Sequence, residues 1–419
     1  MIFILYLLAI LVVFFGVVNL FRISIFLIGS DIYSLKQHLR KRKELTYYPS
    51  VSVVIPAFNE EKTIVHAVRS ILESDYPQDR IQVIVVNDGS KDNTKTVLRN
   101  FLYSKGVSNV LVASQMNLGK ARALNNGMKN YSTGELLMCL DADSYLRTDA
   151  VRKAVYYFED PKVMALASNV KIAKAKGILN LLQRYEYIIS YQMKRAQTIF
   201  NIEYIIGGIG SVFRRSYLEQ ANFYDENTVT EDIDLTMKLL RFGNKRIRVV
   251  YGSDVVSYTQ GVLNIKDLIK QRFRWKWGRY QTFLKNRYMF FSKEKELSKG
   301  LTWFYLPFTL FSDLAFFLEP LIIGYIIYLV ILYKDFATLI SAIVVISFYM
   351  IMNILSEDTI SYKDKFKLIP FVPLMYFLFY ILSYVEYFAL IKSVINFPNL
   401  KESLNKSKTS WNPVRRAGF

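Results

Sequence analysis

The chain begins with an apolar run from Ile2 to Ile28 that only Arg22 interrupts, long enough to cross a bilayer with tilt. Three more such runs lie near the other end, at about Trp303–Tyr333, Phe336–Leu355 and Leu368–Ile391, separated by Lys334, Asp335 and the polar stretch 356–367. Between these ends the pattern changes. The β-branched run Val51–Ile55 predicts a buried strand, and Ile64, Val68 and Ile71 within residues 60–73 predict an amphipathic helix. Further strands are predicted at Ile81–Val86, Val110–Ala113 and Leu136–Leu140. Helices between them carry Thr94, Val97, Leu98 and Phe101, then Ala121, Leu124 and Met128. Repeated strand, turn and helix units predict an α/β fold with a mainly parallel sheet covered by helices, flanked by transmembrane α-helices.

This pattern divides the chain into an N-terminal membrane helix (residues 1–30), a catalytic-type domain (45–260), amphipathic interface helices (261–300), C-terminal membrane helices (301–394) and a basic tail (395–419). The first segment is expected to be a retained anchor, because it lacks the basic start and small-residue cleavage site of a secretory signal. Lys36, Arg40, Lys41, Arg42 and Lys43 follow it, which places the next domain in the cytoplasm of a multi-pass cell-membrane protein. Lys401, Lys406, Lys408, Arg415 and Arg416 argue for a cytoplasmic tail as well. Three spans after a cytoplasmic domain would put that tail outside. Splitting the long run at Glu319-Pro320 is one remedy, so four and five spans both stay open.

The formal charge is +19 in 419 residues, 52% of them apolar and 15% aromatic. With no recognisable nucleic-acid module, the excess reads as attraction to anionic lipid and phosphorylated substrate, not to nucleic acid. Cys139 is the single cysteine, which excludes an intramolecular disulfide, and two histidines far apart make a histidine-rich zinc site a poor expectation. Neither a G-x-G-x-x-G after the first strand nor a G-x-x-x-x-G-K-[ST] loop is present.

Four motifs carry the chemistry. Asn87-Asp88-Gly89-Ser90 ends the second strand; it is either a turn or a place where Asp88 accepts a hydrogen bond from a base or ribose. Asp141-Ala142-Asp143 follows the buried strand Leu136–Leu140, and ligands of such sheets sit beyond the strands' carboxyl ends. Two carboxylates there suit a hard divalent cation that also takes phosphate oxygens, neutralising a diphosphate leaving group. Thr230-Glu231-Asp232 opens a helix with Leu235, Leu239 and Leu240, closed by Gly243. It reads equally as an N-cap with dipole-complementing acids and as a general base. Gln271-Arg272-Phe273-Arg274-Trp275 lies on a predicted helix from Asn264 to about Leu284, with Gln271, Arg274 and Trp275 on one face. That face suits a sugar and a pyrophosphate; a Trp- and Arg-rich helix lying on the bilayer is the competing reading, and both can hold. Lys120 at a helix start and the glycine-rich stretch Gly207–Ser211 are lesser candidates.

In this order, with Ile55-Pro56-Ala57-Phe58-Asn59-Glu60 and residues 117–125 added, the motifs resemble the family 2 glycosyltransferases of GT-A (nucleotide-diphospho-sugar transferase) fold. Specifically, they resemble the membrane-embedded processive synthases that make poly-β-1,6-N-acetylglucosamine, hyaluronan, chitin and cellulose. The resemblance implies a UDP-sugar donor with Ala57, Phe58 and Glu60 beside the uridine, Asp88 reading the uracil and Lys120 near the donor. It implies Asp141 and Asp143 holding Mg²⁺ or Mn²⁺ and the diphosphate. Asp232 would be the base of an inverting transfer, with Glu231, Gln271, Arg274 and Trp275 binding diphosphate and acceptor. Expected partners are the donor, a glycan or lipid acceptor, membrane lipids and an accessory membrane subunit of the kind such synthases commonly have. Single transfer to a polyprenyl phosphate or diacylglycerol is the alternative. A non-catalytic component that binds nucleotide-sugar or conducts polymer is a third reading, which the intact acids weigh against.

Overall fold

The computed structural model describes residues 2–40, 45, 47–107, 109–173, 176–242 and 247–405. Of the features named above, Lys41–Lys43, Gly243 and the basic residues from Lys406 onward lie outside the described residues. Helix α1 covers Ile2–Leu39. Strand β1 (Val51–Ala57), α2 (Ile64–Leu72), β2 (Ile81–Asp88), α3 (Thr94–Lys105), β3 (Val110–Gln115) and α4 (Lys120–Asn126) follow. Next come β4 (Leu136–Cys139), β5 (Ser144–Leu146), α5 (Ala150–Phe158), β6 (Val163–Ile172), α6 (Ile178–Phe200), β7 (Ser211–Arg214) and α7 (Arg215–Gln220). The domain closes with α8 (Glu231–Phe242), β8 (Arg248–Thr259) and α9 (Ile265–Lys285). Beyond it lie α10 (Leu306–Tyr333), α11 (Phe336–Leu355), α12 (Tyr362–Leu368), α13 (Val372–Ile395) and α14 (Leu400–Asn405).

The strands form one sheet in the order β3-β2-β1-β4-β7-β6-β8-β5. The pairs among β1 to β4 and the β6–β8 pair are parallel, as expected; β7 and β5 run antiparallel to their neighbours, so the sheet is mixed. β1 is buried at every position because helices cover both faces, the environment that selects unbroken β-branched runs over alternation. Val53, Ile55, Val83 and Val85 feed one core, and Val54, Ile84 and Val86 feed the other, the two-residue period of a strand. α2 starts four residues later than residue 60, since Asn59 (φ 57°) turns the chain and its amide donates to the Ser90 hydroxyl at 3.0 Å.

Among the described residues, four helical stretches are long and apolar enough to cross a membrane: Tyr6–Leu39, Gly300–Tyr333, Phe336–Leu355 and Tyr362–Ile395. α10 runs unbroken through Pro320, so the split at Glu319-Pro320 is not found.

Candidate active site

The carboxyl ends of β1, β2 and β4 face one edge of the sheet, and the loops there are knitted together. The Glu60 amide donates to the Thr94 hydroxyl (2.8 Å), the Lys91 amide to Asn59 Oδ1 (2.8 Å) and the Glu61 amide to Asp92 Oδ2 (3.1 Å). Ala57 and Phe58 are buried at the end of β1. Asp88 stands at the end of β2. Its carboxylate is fully buried, accepting from Gln115 Nε2 (2.7 Å), the Leu118 amide (2.9 Å) and the Gly119 amide (2.9 Å). Those bonds fix the turn that delivers Lys120 as the first residue of α4.

Lys120 gathers the acids. Its Nζ lies 2.7 Å from Asp141 Oδ1 and 3.3 Å from Glu231 Oε1, with Asp232 within the same charge cluster. Burial disfavours its charge, but Asp141 and Glu231 outweigh burial and raise its pKa above the ordinary lysine value, so it stays an ammonium. Burial first, then the Glu231 charge, pushes the Asp232 carboxyl up to about 6; Lys120 and the Ile233 amide, which donates to Asp232 Oδ1 at 2.9 Å, pull the other way. A carboxylate poised there suits proton transfer near neutral pH.

The glycine-rich loop closes one side. A Cβ at Gly208 would sit 3.0 Å from Lys120 Nζ and 3.7 Å from Asp141 Oδ1. Gly210 adopts φ +64°, which only glycine takes easily, and its amide donates to the Cys139 carbonyl at 2.7 Å. Asp143, also buried, accepts from its neighbour Ser144 at 3.0 Å, just where the chain leaves β4 to pair with β8.

α9 forms the other side. Asn264 caps it, accepting from the Asp267 amide at 2.9 Å. At Gly278 the helix backbone meets Thr230, whose γ-carbon would lie 2.5 Å from an added Cβ; the Val229 amide donates to Gln281 Oε1 at 3.1 Å. Gln271, Arg274, Trp275 and Gly278 stand at i, i+3, i+4 and i+7, so the face predicted from the motif is the one turned toward the Thr230-Glu231-Asp232 turn. Other sides of α9 meet apolar residues of α6 and α13. Arg272, passed over in the sequence, sits 4.5 Å from the Trp275 ring centroid and pairs with Glu186 (2.7 Å) and Glu386 (3.4 Å). It pins the tryptophan. Nothing local to residues 271–275 reveals this, because both partners come from distant helices.

Among the described residues, no group of three or more His, Cys, Asp and Glu side chains is placed to hold a metal alone. Asp141 and Asp143 nonetheless fit a hard divalent cation that draws its remaining ligands from diphosphate and water, the usual manner of Mg²⁺ at nucleotide sites.

Residues 52–221 match the family model described as Glycosyl transferase family 2. This segment belongs to that family. The chain is 31% identical over 278 residues to a poly-beta-1,6-N-acetyl-D-glucosamine synthase of Staphylococcus epidermidis, covering 63% of this chain and 65% of that protein. A protein of the same name from Staphylococcus aureus (strain COL) is 30% identical over 281 residues, 65% of this chain and 66% of its own. The matches thus span just under two thirds of these relatives. In three dimensions the chain is similar to a mannosyltransferase from Pyrobaculum calidifontis solved with GDP-mannose and Mn²⁺. The TM-score is 0.56 at 19% identity, over 88% of this chain and 94% of that one, which shows a shared GT-A-like fold.

Proposed function

We propose that the protein is an inverting membrane β-glycosyltransferase that adds N-acetylglucosamine or another hexose from a UDP-sugar to a growing polysaccharide. The observation that carries this reading is the cluster of Lys120, Asp141, Glu231 and Asp232, with Gly278 of α9 seated on Thr230 beside it. The relatives' name supports an N-acetylglucosaminyl donor and a β-linked polymer.

In this reading Ala57, Phe58 and Glu60 border the uridine, and Asp88 acts by holding the turn before Lys120. Mg²⁺ or Mn²⁺, held by Asp141 and Asp143, would neutralise the diphosphate. Lys120 adds a fixed positive charge beside the same oxygens. Trp275 offers an apolar ring to the acceptor sugar, and Arg274 and Gln271 offer a cation and an amide. Asp232 takes the acceptor hydroxyl's proton as that oxygen bonds to the anomeric carbon. The bond from that carbon to the diphosphate oxygen breaks on the opposite side, so an α-linked donor yields a β-linked product. Processive addition, export and a cytoplasm-facing domain belong to the same proposal, with α1, α10 and α11 anchoring it in the cell membrane.

The test is a panel of UDP-sugars given to purified protein with Mg²⁺ or Mn²⁺, reading UDP release and product mass. Release from one donor with a ladder of long products is expected. Products that stop at one sugar on a lipid would overturn the polymer reading, and no release from any donor would overturn the activity.

A further inference from the structure

By length and composition the stretch Tyr362–Ile395 is a membrane span. Its contacts say otherwise. The loop before it carries Glu357, which is 1% exposed and is clasped by the catalytic sheet: Lys171 Nζ of β6 lies 2.8 Å from it, and Asn169 Nδ2 donates to it at 3.4 Å. α12 then lies against α6, where the Tyr185 hydroxyl donates to the Leu368 carbonyl. Pro370 and Pro373 stand at the starts of the 3₁₀ turn Ile369–Phe371 and of α13.

α13 does not leave the catalytic unit from there. Met375, Leu382 and Val385 pack with Leu182, Tyr185 and Leu268 of α6 and α9. Glu386 lies 3.4 Å from Arg272 and from Lys276, and Lys392 Nζ lies 4.5 Å from the Phe273 ring centroid. Leu390 near its end and Leu400 past it cluster with Tyr280, and Gln281 Nε2 donates to the Ser403 hydroxyl at 2.8 Å. Gln281 is the residue whose oxygen holds the Val229 amide beside the catalytic turn. Both ends of the stretch therefore touch one body. A helix crossing about 30 Å of hydrocarbon would carry its ends to opposite sides. Its companion α9 cannot lie in hydrocarbon either, since Lys266, Lys270, Arg274, Lys276, Arg279 and Lys285 stud its length.

The face of α13 turned away from the protein is apolar and aromatic: Leu374, Phe377, Tyr384, Phe388 and Ile395 are 48%, 54%, 58%, 42% and 72% exposed. It continues into α10, where the Phe317 ring lies 6.0 Å from that of Tyr387. Tyrosine and phenylalanine on such a face suit the boundary between headgroups and acyl chains.

We propose that α13 lies in the plane of the membrane surface on the catalytic side, with the lipid of that leaflet as its partner. Only α1, α10 and α11 cross. α10 leaves, and α11 returns to the Glu357 clasp. Residues 400–405 end on the side of the catalytic domain, where the positive charges of the following tail belong by the positive-inside rule. The count of crossings becomes three, and the conflict between an outward tail and its charge disappears.

The test uses the full chain in sealed vesicles, with single cysteines probed by a membrane-impermeant maleimide and total reactivity measured in detergent. Cys139 is 1% exposed, so the unmodified protein supplies the unreactive background. Lys401→Cys is expected to label from the same side as Tyr103→Cys on the catalytic domain, and Lys334→Cys, between α10 and α11, from the opposite side. Labelling of Lys401→Cys with Lys334→Cys would overturn the inference. As a second readout, Phe388→Trp fluorescence is expected to be quenched most by lipids brominated near the headgroup. Strongest quenching by lipids brominated at the chain ends would overturn it as well. Neither readout depends on activity, so this inference and the proposed reaction fail separately.

Discussion

Gly278 of α9 and Thr230 at the start of α8 approach so closely that any side chain at 278 would strike the threonine, 2.5 Å from its γ-carbon. The motif helix is thus seated on the residue two before the proposed base. Gly278→Ala is expected to lift α9, costing about 1–3 kcal/mol of stability by overpacking. Turnover should fall at least about tenfold, since misplacement of about 1 Å costs that much or more. UDP affinity should fall as well, since Gln271 and Arg274 ride on the same helix. Thermal melting, UDP release and UDP titration together check this.

Asp232 accepts a proton only when ionised. Its carboxyl is pushed up to about 6 by burial and Glu231, so kcat/KM should rise with pH through about 6 and level off above it. A midpoint near the ordinary carboxylate value would contradict this. The stability sign is opposite: the folded state holds this proton more tightly than the unfolded chain, so the group stabilises the fold as pH drops from about 6 toward 4. Asp232→Asn should lower turnover by about 10²–10⁴-fold while donor binding survives.

Removing divalent cation with a chelator is expected to abolish UDP release and weaken UDP binding, with Mn²⁺ or Mg²⁺ restoring both. Asp143→Asn should make UDP binding indifferent to added metal. Binding that stays as metal-dependent as in the wild type would remove Asp143 from the cation's ligands.

Glu357 offsets Lys171 and Arg195 in a pocket with almost no solvent. Against the cost of burial, Lys171 and then Arg195 hold its carboxyl down to about 2. Its contribution to stability is present above about 4.5 and is lost as pH falls toward 2. Glu357→Gln leaves two buried cations uncompensated and should cost about 3–5 kcal/mol. Differential scanning calorimetry in detergent reads the difference.

The strands were legible because Val51–Ile55 and Ile81–Val86 are rich in β-branched residues, each with a single polar interruption, and the sheet edge bearing Asp141 followed from their order. The antiparallel insertion of β7 was not, because Ser211–Arg214 is too short to carry a period and its register depends on β4 and β6. Pro320 reads as a break in water, whereas neighbouring helices let an apolar helix absorb it. The motif side chains were visible one by one. Their assembly rests on long-range contacts, such as Lys120 to Glu231 or Gly278 to Thr230, that no local window contains. The same holds for Asp88, whose burial depends on the amides of Leu118 and Gly119.

Asp313 of α10 lies 3.2 Å from Lys276 of α9 and pairs with Arg279, and that same α9 rests on Thr230. One helix therefore joins the apolar hairpin of α10 and α11 to the turn bearing the proposed base. In the proposed arrangement, thinning, stretching or recharging the bilayer is expected to displace that helix, so UDP release by the full chain should change with the composition of the vesicle that holds it.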